Sequence, residues 1–208
     1  MAGRSTTFDN YSLYDPNGLE RALHAEQQAL ALDDSLSLTH TVLAEIYVFK
    51  GQYDEAVTEA ERGVSLNPNS ATGYFALASV MNNMAKPAEA LAAAKRAMRL
   101  DPDYRDKYRL QEGIADTQLG HYQASVAALK RYMLVAPNNF WGHLNLVDAY
   151  VELGQGDDAR AELTEALNIN PQISLAALAA YRPKQRLSAP ALKQRERFEA
   201  NLRKAGLK

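Results

Sequence analysis

The side chains best suited to chemistry are few and scattered. Four histidines, His24, His40, His121 and His143, could hold a metal or move protons. None lies four residues from another, the spacing that puts two imidazoles on one helical face, so a metal site is not expected. There is no cysteine, which excludes a thiolate nucleophile, a disulfide or a Cys-based zinc site. The neighbouring carboxylates Asp157 and Asp158 stand where a helix should start, a place the macrodipole favours for negative charge. Glycines occur singly at expected turns, so no phosphate-cradling loop is formed. No Ser, His and acid fall into a catalytic arrangement. The chain is therefore expected not to be an enzyme and to need no cofactor.

The elements that would position these residues are set by a repeat. Pro68, Pro102, Pro137 and Pro171 fall 34, 35 and 34 residues apart. Each closes a unit of two helix-length stretches, with Gly51, Gly120 and Gly154 at the inner turn of three units and Ala85 in the remaining one. A period in this range is the signature of a stacked helical solenoid. Full units are expected at 37–70, 71–104, 106–139 and 140–173. Asp15-Pro16 should start an earlier helix reaching Leu32, since Asp offers an N-cap acceptor and Pro at the first helical position loses no needed donor. Small residues (Ala56, Ala60 and Gly63; Ala90, Ala94 and Ala97; Ala159 and Ala166) recur where two helices must approach closely.

Leu and a small residue, a Tyr three or four later, a Gly, stepped alanines and a closing Pro together resemble the tetratricopeptide repeat family. The resemblance covers about Asp15 to Ile173. It implies an all-α, right-handed superhelix of about five hairpins, with 174–208 as a helical cap bearing a basic surface and 1–14 as a leader or a degenerate helix. It also implies a concave groove lined by the first helix of each unit. The residues placed there are Leu38, Thr41, Glu45, Val48 and Phe49, then Thr72, Phe75, Ser79, Asn82 and Asn83. The fourth unit supplies Lys107, Leu110, Ile114, Thr117 and Gln118, and the fifth Trp141, Leu144, Asp148, Val151 and Glu152. Apolar anchors among amides are what a binding hot spot contains, although Phe75 and Trp141 could equally pack on a neighbouring helix. The two-carboxylate clamp of chaperone-tail binders is not expected, because its positions hold Thr41, Glu45, Ala76, Lys107 and Gln111, with one cation among them.

The fourth unit departs from the pattern. Glu112 and Asp116 replace an apolar residue and an aromatic one, Ser125 replaces an alanine, and Tyr132 stands where a small residue is usual. Compensated packing is the expected reason. Beyond Pro171, a short alanine-rich helix, a basic connector and a last helix from Ser188-Ala189-Pro190 are expected. Leu192, Phe198, Leu202 and Ala205 would face inward there, with Gly206 and Leu207 as the C-cap.

Charge is uneven: residues 182–208 carry +7 and residues 1–181 carry −9. Arg182, Lys184, Arg186, Lys193, Arg195, Arg197, Arg203 and Lys204 could contact phosphates, but stacking aromatics are missing, and a solvated cap is the preferred reading. The composition is that of a soluble globular protein, with no apolar stretch long enough to span a bilayer, and a cytoplasmic location is expected. The leading expectation is a scaffold for another protein, a peptide or a helix, with a homo-oligomer possible. The runner-up rests on a second resemblance. The ending from Arg197 to Leu207 is similar to endings of repeat regions in bacterial signalling proteins that carry a class III nucleotide cyclase or a winged-helix domain, which implies a regulatory or sensory module. Nucleic-acid binding comes third.

Overall fold

The computed structural model describes residues 16–181 and 187–208. The leader with Phe8, Tyr11 and Tyr14, the cap residue Asp15, and Arg182, Lys184 and Arg186 of the connector lie outside them. Every regular element described is an α-helix: α1 (Pro16–Leu32), α2 (Ser37–Phe49), α3 (Tyr53–Leu66), α4 (Ala71–Asn83), α5 (Pro87–Leu100), α6 (Arg105–Gln118), α7 (Tyr122–Met133), α8 (Phe140–Glu152), α9 (Gly156–Ile169), α10 (Leu175–Tyr181) and α11 (Ala189–Ala205). No helix among the described residues is long and apolar enough to cross a membrane. Four hairpins, α2–α3, α4–α5, α6–α7 and α8–α9, stack in chain order, and α1 packs on α2. The expected all-α solenoid is what forms. The first helices α2, α4, α6 and α8 contact one another in sequence along one face.

The inner turns are built alike. Gly51, Gly120 and Gly154 take φ of 69°, 81° and 74°, and Ala85 follows with φ 59°. In each, the next residue's N–H reaches back to the penultimate helical turn, as from Gln52 to Tyr47 and from Lys86 to Met81. Two first helices carry a side-chain cap: Ser70 accepts from the Gly73 N–H at the start of α4 and Asn139 from the Gly142 N–H at the start of α8, each at 3.0 Å.

The fourth unit trades volume between partners. Leu129 and Tyr132 occupy positions that hold small residues in the second and third units. Opposite them are glycines: a Cβ on Gly113 would stand 2.5 Å from Leu129 Cγ, and one on Gly142 would stand 3.1 Å from Tyr132 Cε1. Ser125 is fully buried and donates to the Gly113 carbonyl at 2.8 Å, with its hydroxyl 2.6 Å from that of Thr117. Asp116 is buried and faces His121 Nδ1 at 3.3 Å. The unit also differs in length: α7 ends at Met133, four residues before Pro137, whereas the other second helices end two residues before their prolines. Leu134 and Val135 are left exposed at that early end.

His40 and His143 are joints between helices. Each lies 19 residues before a glutamate that its Nδ1 meets, Glu59 at 2.5 Å and Glu162 at 2.7 Å. Their Nε2 atoms meet the carbonyls of Asp34 and Pro137, six residues earlier in both cases.

Candidate functional site: the concave groove and its C-terminal helix

The first helices put their inner faces around a cavity of about 390 Å³. Most of the residues placed in the groove from the sequence line it. From α2 come Glu45, Val48 and Phe49, and from α4 come Phe75, Ser79, Asn82 and Asn83. From α6 come Leu110, Ile114, Thr117 and Gln118, and from α8 come Trp141 and Asp148. Others stand elsewhere. Leu38 and Thr72 lie outside the cavity, and Thr41 is buried against the second helix, donating to the Ser37 carbonyl at 2.9 Å beside Gly63. Lys107 lies 4.8 Å from the centre of the Tyr108 ring and 3.8 Å from Asp101. Leu144 is fully buried in the core and Val151 is buried with it.

An amide ladder stiffens the groove floor. Asn82 Nδ2 donates to the Gln111 carbonyl at 3.0 Å and to Gln111 Oε1 at 2.9 Å. Gln118 Nε2 donates to the Asn82 carbonyl at 3.0 Å, tying the third unit to the fourth. Phase of the helix puts Glu45 one turn before Val48 and Phe49, so its carboxyl shares their apolar surroundings. Burial pushes its pKa up to about 7. Phe75 packs on Tyr108 with centroids 5.9 Å apart, and Trp141 on Phe140 at 5.2 Å. Each ring thus packs on a neighbour and also faces the cavity.

The opposite wall is the part that sequence reasoning missed. Leu187, Ala191, Gln194, Arg195, Arg197, Phe198 and Glu199, just before and along α11, line the same cavity. Leu187 packs into the core of the second unit with Val48 and Tyr53, while Leu202, Ala205 and Leu207 join the core of the fifth. A helix of 17 residues is about 25 Å long, enough to bridge those units. As expected, α11 covers the last hairpin, packing on α8 and α9. Its cap is the expected one: the Leu207 N–H reaches the Leu202 carbonyl at 3.0 Å and Gly206 N–H that of Arg203 at 3.1 Å.

The expected solvated basic surface is corrected at two cations. Arg197 turns into the groove, where its Nη2 lies 3.3 Å from Asp148 Oδ2 and its Nη1 donates to the Thr117 carbonyl at 3.3 Å. Arg195 faces the cavity, 3.9 Å from Glu199. Lys193, Arg203 and Lys204 remain exposed. Asn201, one turn beyond Arg197, donates to Asp148 Oδ1 at 2.7 Å and Glu152 Oε1 at 2.8 Å. Burial still pushes Asp148 above the usual carboxylate range, with Arg197 and Asn201 pulling the other way. The signal was present in the sequence as Arg197 and Asn201 four residues apart, opposite Asp148 and Glu152 four apart.

The fold, a solenoid of helical hairpins with a polar-floored inner groove, is shared with known proteins. Two family models, both described as tetratricopeptide repeat, match residues 39–70 and 116–180. A TPR repeat-containing thioredoxin of Arabidopsis thaliana is 34% identical over 79 residues, covering 38% of this chain. The match spans 20% of that protein's length. Among solved structures, a thermophilic TPR protein of Thermus thermophilus aligns with TM-score 0.68 at 22% identity, covering 82% of this chain and 92% of that one. PilW, a widely conserved type IV pilus biogenesis factor, aligns with TM-score 0.65 at 23% identity, covering 90% and 86%. YrrB, a TPR protein with an unusual peptide-binding site, aligns with TM-score 0.52 at 25% identity, covering 79% and 84%. The first two likenesses bear on the fold alone.

Proposed function

We propose that this chain is a non-catalytic scaffold that holds a peptide or helix of another protein in its concave groove. The observation that carries the reading is that the groove already holds a helix of its own chain. Asp148 and Glu152 grip α11 through Arg197 and Asn201, and apolar residues flank the grip, which is the helix-in-groove mode in outline. Tetratricopeptide repeat proteins are generally protein-interaction scaffolds, and the fold shared with the peptide-binding YrrB points the same way. In this reading Phe49, Phe75, Leu110, Ile114 and Trp141 supply apolar contact, and Ser79 and Asn83 pair with backbone. The same seated helix also suits the regulatory reading, in which a competitor must displace α11 before the groove opens.

The test is capture of partners from a native lysate by the wild type and by a Phe75→Ala, Trp141→Ala double variant matched for helicity and melting. A partner lost by the double variant is the expected result. Equal capture by both would move the site out of the groove.

A further inference from the structure

Between the groove floor and α11 lies a closed-in space whose chemistry is one-sided. Glu45 has no hydrogen bond or ion pair with any described residue, yet it lines this space. Asn82 Oδ1 and Gln118 Oε1 are buried without a hydrogen-bond partner. Their amide orientations are fixed, because the nitrogen ends are held by the backbone carbonyls of Gln111 and Asn82. All three of these groups are acceptors. Among the described residues, Arg197 Nε is the one buried side-chain donor left without a hydrogen bond, and it stands 3.8 Å from Glu152 Oε1. The remaining charges on the cavity wall are matched: Asp148 with Arg197, and Glu199 with Arg195.

We propose that this cavity is a binding site for a small amphipathic amine, whose ammonium meets the Glu45 carboxylate while its apolar part lies among the aromatic side chains. An ammonium is a donor without acceptor capacity, so it pairs with the Glu45 carboxylate and leaves no lone pair facing it. Phe49, Phe75 and Phe198 offer the aromatic faces that attract a cation once water is excluded. A volume of about 390 Å³ lies within the range of small-molecule pockets, and α11 walls the cavity on one side. An anion would face the unpaired carboxylate, and a neutral alcohol would leave Glu45 as it is. This site shares Phe49 and Phe75 with the scaffold reading but adds Glu45, which that reading does not use, so Glu45→Gln tests it independently of the grip that Asp148 and Glu152 exert on α11.

Trp141, the single tryptophan of the chain, lines the cavity and reports occupancy by its fluorescence. The experiment titrates the full chain at pH 8 with 2-phenylethylamine, 2-phenylethanol and 3-phenylpropionate, then repeats the series on Glu45→Gln. The expected result is a saturable change with the amine, at least about tenfold weaker binding of the alcohol and the acid, and a similar tenfold loss of the amine in the variant. Equal binding of amine and alcohol would overturn the proposal. So would an unchanged amine affinity in Glu45→Gln with helicity intact, or no saturable change in the millimolar range.

Discussion

Ala85 occupies the turn position that three glycines share, with a positive φ that costs an L-residue about 1 kcal/mol. Ala85→Gly should therefore stabilise the chain by roughly 0.5–1 kcal/mol, and Gly154→Ala should destabilise it by about as much, since no atom lies within 4 Å of the added Cβ. Denaturant unfolding of the two variants checks both signs. Glu45 carries the largest pH lever. Its folded pKa, pushed from 4.5 to about 7, means that the folded state holds a proton the unfolded state has released. Stability then falls as pH rises from 4.5 to 7. Glu45→Gln should leave stability unchanged below about pH 4 and raise it by up to about 3 kcal/mol above pH 7. His143 runs similarly. Against the effect of burial, the bond to Glu162 and the Pro137 carbonyl raises its pKa above 6.5. Its contribution is complete below pH 6.5 and disappears as pH climbs through the raised value. Melting curves of His143→Gln between about pH 6 and 9 should be flatter than those of the wild type.

At the scale of elements, the α6–α7 hairpin shows how the fold absorbs an irregular unit. Glycine on one helix answers a large residue on its partner, so the bundle spacing survives the loss of the usual alanines. Gly113→Ala should cost about 1–3 kcal/mol, because Leu129 and the Ser125 carbonyl leave no room for a methyl group. Thermal unfolding measures this, and a Gly113→Ala, Leu129→Ala pair should unfold closer to wild type than the sum of the two single variants. The grip on α11 is equally specific. Arg197→Ala leaves the Asp148 carboxylate buried with Asn201 alone and should destabilise the chain by about 2 kcal/mol, with faster amide exchange along 189–205 as the local sign. These pairings explain what was legible beforehand. Helix limits, turn glycines and small-residue contacts follow from a period of about 34 residues, as do most groove positions, because stacking forces each unit to present the same positions inward. The seat of α11 was not read beforehand, since Arg197 and Asn201 meet Asp148 and Glu152 across 49 to 53 residues and the repeat, which places the two carboxylates in the groove, does not constrain what pairs with them. Thr41 and Leu144 were misplaced for a related reason. A residue at the edge of a helix face turns into the core or the groove according to the neighbour opposite, here Gly63 for Thr41.

For the whole molecule, the solenoid is a row of locally stabilised hairpins, and α11 is the element that ties distant ones together. Leu187 reaches the second unit and Leu202 the fifth, so the two ends of the groove are linked through one helix. In a stacked array each unit otherwise leans on its neighbours alone. Curvature of the array and access to the groove should therefore change together when α11 leaves. The central claim is that the concave groove binds a helix through Asp148 and Glu152, with α11 as its resident. Its most direct test is the binding of a labelled peptide of residues 187–208 to the chain carrying Arg197→Ala and Asn201→Ala, measured by fluorescence anisotropy. The account predicts saturable binding, at least about tenfold weaker to the wild type, whose own helix competes, and lost when Asp148→Ala is added. Binding that ignores Asp148, or no binding to the released chain, would contradict it.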